Sequence, residues 1–257
     1  ELQEKDEVIS TAMTAEPTNT SILLSKAKLK FADVDSTTGC LTLESIKATV
    51  TSKTKAIVLV HYAGIISDFV EIGEFCRENN IYLLVDAAHC LGGGLKEYKV
   101  GDVADFTIFS LQAIKHLTTI DGGLLVVKNS EIFQKAKLLR WFGLDKSISR
   151  LENNITQPGF KYHMNNVNAV IGKAAFADYG YVLGAHKSNG LYFDELLLNV
   201  DGIKIPNYIE GSDNTYWLYT ALVEKREDFI RMMKSFGVDC APLHRRNDLH
   251  EVFSSIK

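Results

Sequence analysis

The segments AIVLVHY (residues 56–62) and YLLVDAA (residues 82–88) decide the fold of this chain. Each is a nearly continuous apolar run of strand length, which is typical of strands in a parallel sheet that is covered on both faces. Between them, residues 69–79 carry apolar side chains at spacings of three and four, which predicts an amphipathic helix. This strand–helix–strand order predicts a parallel α/β sheet.

The same alternation extends along the chain in both directions. Apolar patterns predict strands at residues 7–12, 28–34, 56–61, 82–86, 105–110 and 123–127, and helices at residues 43–50, 69–79 and 130–141. After about residue 145 the pattern changes and predicts helices at residues 167–177 and on to 198, a strand at 216–224, a helix at 228–236 and a short strand after Gly237. We expect a large α/β domain over residues 1–150 and a smaller α+β domain over residues 151–257.

The composition is ordinary and argues against several classes of protein. The 257 residues are 46% hydrophobic and 23% charged, with a net charge of −4, so no feature favours nucleic acid or an anionic membrane as a partner. No apolar run approaches the roughly 20 residues that cross a bilayer. The four cysteines are dispersed without a CxxC pair, which predicts neither a zinc site nor a redox dithiol and favours a reducing cytoplasm.

Polar residues follow the predicted strands at their carboxyl ends, where open parallel sheets bind ligands. Asp86 ends one strand and precedes His89, while Ser110 ends another and precedes Gln112 and Lys115. Each has an ordinary interpretation, because Asp and Ser cap helices and a single lysine is usually solvated. Lys115, however, has apolar neighbours, and a partly dehydrated lysine has a lowered pKa and attacks carbonyl groups. Together, in this order, these residues predict a catalytic rim.

Five segments resemble the DegT/DnrJ/StrS sugar aminotransferases, which are pyridoxal-phosphate (PLP) enzymes of fold type I, the aspartate-aminotransferase superfamily. SLQAIKHLTTIDGG (110–123) is similar to the family's lysine segment, and LLVDAAHCLGG (83–93) to its cofactor-Asp segment. Residues 13–35 resemble its early strand–helix–strand, and residues 159–172 resemble the segment that crosses to the partner subunit. Residues 212–253 resemble the small domain of perosamine-synthase-like members, so the resemblance covers essentially the whole chain.

The resemblance implies roles for the residues of the rim. Lys115 matches the lysine that carries the cofactor and moves the substrate proton. Asp86 matches the carboxylate that faces the pyridine nitrogen and keeps it protonated, so that the ring accepts electrons. His89 matches a Gln or His beside the cofactor's 3-hydroxyl, and Ser110 matches the hydroxyl that binds the cofactor phosphate.

Other matches leave alternatives open. Gln112 stands where many members have His. Lys161 stands where members carry Asn or Lys that reaches the neighbouring subunit's site, and a surface lysine is the equal alternative. Residues 244–248 suggest either the sugar-nucleotide side or a solvated turn, and Trp217 is expected in the core rather than under a sugar.

The chain also departs from the family pattern. Ala15 stands where many members stack an aromatic residue on the cofactor ring, and Ile120 where a Gly is common. The family's phosphate-binding loop is expected to precede Glu1, so we expect a further segment ahead of it. These departures favour one rival hypothesis, a truncated, non-catalytic homologue.

The leading hypothesis is transfer of an amino group from glutamate to the 3- or 4-keto group of a nucleotide-linked 6-deoxy sugar. The resemblance implies PLP as cofactor, pyridoxamine phosphate as its intermediate form, a homodimer in the cytoplasm, and a role in lipopolysaccharide O-antigen or related sugar synthesis. A second rival is a PLP-dependent sugar 3-dehydratase, whose members carry His at the position of Lys115.

Overall fold

The computed structural model of the chain describes residues 2–256. Its strands are Glu7–Ser10 (β1), Lys28–Phe31 (β2), Thr54–Val60 (β3), Tyr82–Asp86 (β4), Gly94–Leu95 (β5), Tyr98–Lys99 (β6), Phe106–Ser110 (β7), Gly123–Val127 (β8), Ile203–Lys204 (β9), Ser212–Asp213 (β10) and Leu222–Val223 (β11). Its α-helices are Glu16–Leu24 (α1), Leu43–Thr49 (α2), Phe69–Glu78 (α3), Ser130–Leu139 (α4), Asn166–Phe176 (α5), Tyr179–Leu197 (α6) and Arg226–Ser235 (α7).

The central sheet has the strand order β2-β1-β3-β4-β7-β8. Its neighbours run parallel, apart from β7 and β8, which are antiparallel. The predicted α/β class with a mainly parallel sheet is therefore confirmed. Small antiparallel ladders join β5 to β6 and β10, and β9 to β11.

Both faces of the sheet centre are buried, which explains the continuous apolar runs. On one face, Ile57 and Leu83 belong to the main core together with Ile72 of α3. On the other face, Val58 belongs to a second cluster, which includes Phe253 from near the end of the chain. Because successive strand residues point to opposite faces, a strand buried on both sides needs apolar residues at nearly every position.

The predicted strand at residues 216–224 is wrong except at β11. The Thr215 N–H donates instead to the Gly64 carbonyl at 3.0 Å, and the Leu218 N–H donates to the Ala63 carbonyl at 3.2 Å. Tyr216 has a φ of +47°, which breaks an extended strand. Among the described residues, no strand follows Gly237 either, although this glycine has the left-handed φ of +79° typical of a helix end.

The other predicted elements are present, with ends that differ by up to three residues. The division into domains at residue 150 stays a prediction, and its outer limits, Glu1 and Lys257, lie outside the described residues. Within residues 2–256, no helix combines the length and the apolar character that crossing a bilayer requires.

Candidate active site

Adjacent strand ends bring the predicted rim residues together. Asp86 is the last residue of β4 and Ser110 the last of β7, and these strands pair in parallel with Asp86 opposite Ile108. Both side chains therefore lie at the carboxyl edge of the sheet, where ligands bind in folds of this kind. A turn follows β7, in which the Lys115 N–H donates to the Gln112 carbonyl at 3.0 Å. This turn returns the lysine to the rim.

The Asp86 carboxylate accepts a hydrogen bond at each of its oxygens. The Thr18 hydroxyl donates to Oδ2 at 2.7 Å, and the Ala88 N–H donates to Oδ1 at 3.2 Å. Thr14 in turn donates its hydroxyl to Thr18 at 3.1 Å. These bonds fix the direction of the carboxylate. Thr18 was not predicted as a site residue, although it lies in the segment 13–35 that resembles the family, four residues after Thr14.

The Lys115 amine is half-buried against an aromatic ring. Its Nζ lies 3.7 Å from the centre of the Trp217 ring. Burial lowers the pKa of Lys115 to about 8, and the charge of Asp86 opposes that shift. A lysine with a pKa near 8 is partly neutral close to neutral pH, which is the form that attacks carbonyl carbon.

Trp217 and His89 form a stacked pair beside this amine. Their ring centres are 3.8 Å apart with an angle of 15° between the planes, and both side chains are buried. The Trp217 Nε1–H donates to the Ile114 carbonyl at 2.9 Å, which holds the indole against the Lys115 turn. Trp217 is buried, as expected, but its ring also borders the site. This contact joins residues about a hundred positions apart, so no local pattern predicts it.

Further histidines surround the rim, and burial keeps them neutral. It lowers the pKa of His89 far below its usual value and that of His116 to about 4. His244 also has a lowered pKa, chiefly from burial, and its ring lies 6.1 Å from that of His89. The His116 ring meets that of His186 edge-on at 4.5 Å. Among the described residues, no group of three or more acidic, histidine or cysteine side chains is arranged to hold a metal ion.

Two predicted site residues lie away from these contacts. Gln112 is exposed, and its backbone N–H donates to the Ser110 hydroxyl at 3.3 Å. Lys161 is also exposed and forms an isolated antiparallel bridge with Trp141.

The residues of the segment 244–248 have different positions, and only some of them lie at the active-site rim. His244 faces the rim, whereas Arg246 pairs with Asp248 at 2.5 Å on the surface. Asn247 is fully buried, and its side chain donates to the Thr14 carbonyl at 2.8 Å. This residue therefore fastens the end of the chain to the loop that precedes α1.

The comparisons with known proteins identify the family. The profile of the DegT/DnrJ/EryC1/StrS aminotransferase family matches residues 1–255, and the chain belongs to this family. It is 31% identical to an uncharacterized protein of Methanocaldococcus jannaschii over 95% of this chain and 67% of that protein. It is 32% identical to the UDP-4-amino-4-deoxy-L-arabinose–oxoglutarate aminotransferase of Shewanella sediminis over 79% of this chain and 55% of that enzyme.

A solved structure shows the same fold. The sugar aminotransferase CalS13 of Micromonospora echinospora superposes with a TM-score of 0.95 at 25% identity, over 99% of this chain and 71% of that one. The chain thus spans between about half and about 70% of the length of these relatives. Aminotransferases of this family depend on PLP.

The chemistry of the rim fits this cofactor. PLP offers an aldehyde, a pyridine nitrogen, a phenolic hydroxyl and a phosphate. The rim offers an amine with a lowered pKa in Lys115, an oriented carboxylate in Asp86, a neutral imidazole in His89 and a hydroxyl in Ser110.

Proposed function

We propose that this chain transfers the amino group of glutamate to the keto carbon of a nucleotide-linked sugar, with PLP as its cofactor. The observation that carries the proposal is the half-buried Lys115 amine, with its pKa lowered to about 8, at the same rim as the Asp86 carboxylate. The UDP-sugar aminotransferase among the relatives supports a nucleotide sugar as substrate.

In this proposal each rim residue has one task toward the cofactor. Lys115 would hold its aldehyde carbon, Asp86 would face its pyridine nitrogen, His89 would lie beside its 3-hydroxyl, and Ser110 would bind its phosphate. Gln112 would lie on the phosphate side. When bound, PLP withdraws electrons from the substrate's α-carbon and so makes that carbon acidic.

Side chains of the protein would transfer the protons and exclude water from the amine. Once the substrate amine had replaced it on the cofactor, Lys115 in its neutral form would accept the proton from the α-carbon, because an amine whose pKa lies near the working pH is an efficient base. The Asp86 charge keeps the pyridine nitrogen protonated, and Thr18 holds that carboxylate in place. Trp217 and His89 cover one side of the amine and limit the access of water to it.

The finer assignments also belong to the proposal. We place the large domain at residues 1–150 and the small domain at 151–257, and we infer a cytoplasmic homodimer in which Lys161 reaches the partner's site. A 3- or 4-keto 6-deoxy sugar is the proposed substrate. Synthesis of a surface polysaccharide such as O-antigen is the proposed setting, and the spore coat polysaccharide protein SpsC of Bacillus subtilis, 32% identical over 65% of this chain, supports it.

The test is product formation from glutamate and a nucleotide-linked 4-keto-6-deoxy sugar in the presence of PLP. We expect an amino-sugar and 2-oxoglutarate in equal amounts. Lys115→Ala should lower turnover by at least about a thousandfold, since it removes both attachment and proton transfer. Lys128→Ala is the matched control, because Lys128 follows β8 at the opposite edge of the sheet. Equal turnover in the two variants would contradict the proposal.

The same assay separates the rival functions. A deoxy-sugar product without an amino group would favour the 3-dehydratase, although the lysine at position 115 argues against it. A folded chain that gives neither product nor a PLP adduct would favour the non-catalytic homologue.

A further inference from the structure

One face of helix α6 carries three residues at spacings of four. His186, Gly190 and Asp194 lie one above the other, because residues four positions apart share a helix face. All three contact the same residue, Tyr216, which immediately precedes Trp217. We call this set the α6 grip.

The α6 grip contacts Tyr216 along its whole length. The His186 ring nitrogen Nδ1 lies 3.0 Å from the Tyr216 carbonyl oxygen. The tyrosine ring packs so closely on Gly190 that a Cβ built there would lie 2.2 Å from it. The Tyr216 hydroxyl donates to Asp194 Oδ2 at 2.6 Å. Burial raises the pKa of Tyr216 and the Asp194 charge adds to this, so the hydroxyl keeps its proton and remains a donor.

The grip holds Tyr216 in a backbone conformation that a tyrosine rarely adopts. Its φ of +47° lies in the left-handed region, which is sterically unfavourable for a residue other than glycine. Adjacent contacts also restrain this segment, since the Thr215 hydroxyl donates to the His89 carbonyl at 2.6 Å. With the Tyr216 ring directed to α6, the Trp217 ring stacks on His89 and underlies the Lys115 amine.

We propose that the α6 grip is a positioning device for the active site: by holding Tyr216 it fixes Trp217 between His89 and Lys115 and keeps water from the lysine amine. The proposal concerns the lysine to which the proposed function assigns catalysis and rests on that assignment for its meaning. It also links α6 to the rim of the sheet, because displacement of the helix would release the tryptophan.

The environment of Lys115 makes the effect measurable. The charged or titratable groups that face the amine are Asp86, His89, His116 and His244. The three histidines have pKa values lowered chiefly by burial, so they carry little positive charge above pH 7. The Trp217 ring excludes water, which lowers the pKa of Lys115, and offers its face to the cation, which raises it. Burial is the largest cause of the lowered pKa of Lys115, and the Trp217 ring at 3.7 Å contributes to that burial.

The test replaces single glycines of α6 in the full chain. Gly190→Ala adds a methyl group that overlaps the space of the Tyr216 ring. Gly184→Ala makes the same change on the same helix, where nothing lies within 4 Å. Both substitutions gain the same helix propensity, so their difference isolates the contact with Tyr216. Trp141→Phe in every protein leaves Trp217 as the single tryptophan, because the chain has two.

Two readouts require no cofactor and no turnover. The first is quenching of Trp217 fluorescence by acrylamide, which we expect to rise at least twofold in Gly190→Ala and to stay unchanged in Gly184→Ala. The second is the pH midpoint for acetylation of Lys115, followed by mass spectrometry. In Gly190→Ala we expect this midpoint to rise by about one unit, which is a tenfold smaller neutral fraction at pH 7.

Further variants test whether a general loss of stability causes the shift of the Lys115 midpoint. Tyr216→Phe removes the hydroxyl, which bonds to Asp194 and Tyr208, and keeps the ring on Gly190, so we expect a smaller shift of the Lys115 midpoint in the same direction. Ile72→Val in the distant core lowers stability and should leave the midpoint unchanged. An unchanged midpoint in both Gly190→Ala and Tyr216→Phe would overturn the proposal, whether or not Trp217 becomes accessible. A shift in Ile72→Val as large as that in Gly190→Ala would overturn it too. Because acetylation needs neither PLP nor sugar, either result is separate from failure of the proposed aminotransferase activity.

Discussion

Acid should destabilise this protein through His61, which directly follows β3. The ring is fully buried, and its Nδ1 accepts the Ser67 backbone N–H at 3.2 Å while lying 2.8 Å from the Ser67 hydroxyl. Its Nε2 is buried without a hydrogen-bond partner among the described residues. Burial in these surroundings lowers the pKa of His61 to about 3 from an ordinary value of 6.5.

The sign and size of the effect follow from proton linkage. Below pH 6.5 the unfolded chain binds a proton at His61 that the folded chain does not bind, so stability is lost as the pH falls. Between pH 7 and pH 5 this single group should cost about 2 kcal/mol of the free energy of unfolding, since each pKa unit corresponds to about 1.4 kcal/mol. The loss should continue below pH 5 until the folded protein also binds the proton, near pH 3.

Urea denaturation at pH 7 and pH 5 measures this loss. The comparison variant is His61→Asn, because the Asn side-chain oxygen can still accept the Ser67 N–H but does not titrate. Other buried histidines remain in both proteins, so the difference between the two pH dependences isolates His61. We expect the parent to lose about 2 kcal/mol more than the variant between these pH values. Equal losses in the two proteins would refute the reasoning.

Two further substitutions test contacts that hold the rim together. Thr18→Val removes the hydroxyl that donates to Asp86 and should lower the free energy of unfolding, measured in urea, by about 1–3 kcal/mol. Its control is Thr20→Val on the same helix, which loses only a 3.3 Å bond to a carbonyl and should lower the free energy of unfolding clearly less. Gly64 has a φ of +103°, and Gly64→Ala places a Cβ 2.7 Å from the Trp217 backbone nitrogen. Its control is Gly202→Ala, where φ is also positive but the space around the glycine is open. We expect Gly64→Ala to lower the melting temperature by several degrees more than Gly202→Ala. If either pair of variants proves equally stable, the contact in question does not contribute as described.

The residues that end the strands were predictable from the sequence. The runs that become β4 and β7 are short and apolar, and each ends in a polar residue, Asp86 or Ser110. A parallel sheet brings such strand ends to one edge, so their proximity follows from the topology alone. A lowered pKa for Lys115 was predicted from its apolar sequence neighbours, but Ala113 and Ile114 are exposed, and the half-buried amine lies against Trp217 instead.

The contacts that pack this rim were not predictable in the same way. Trp217 meets Lys115 and His89 through tertiary packing, and the apolar run around it reads equally well as a strand. Hydrogen bonds to Ala63 and Gly64 and the left-handed Tyr216 outweigh that local preference. A local sequence pattern contains no information on such distant partners.

Ile120, one of the departures from the family pattern, has a backbone conformation that is typical of glycine. Ile120 stands where a glycine is common, and it adopts a φ of +69°, a conformation that glycine reaches at lower cost. The Thr118 hydroxyl accepts the Ile120 N–H at 2.8 Å and helps to hold this turn. The turn is therefore kept in the glycine-like conformation even though the residue is different.

Attachment of PLP to Lys115 is tested by adding PLP to the purified chain, reducing with borohydride and mapping the modified lysines by mass spectrometry. We expect one main adduct, on Lys115, whose extent follows the neutral fraction of an amine with a pKa near 8. Adducts spread over the surface lysines with Lys115 unmodified, in a chain shown to be folded, would contradict it.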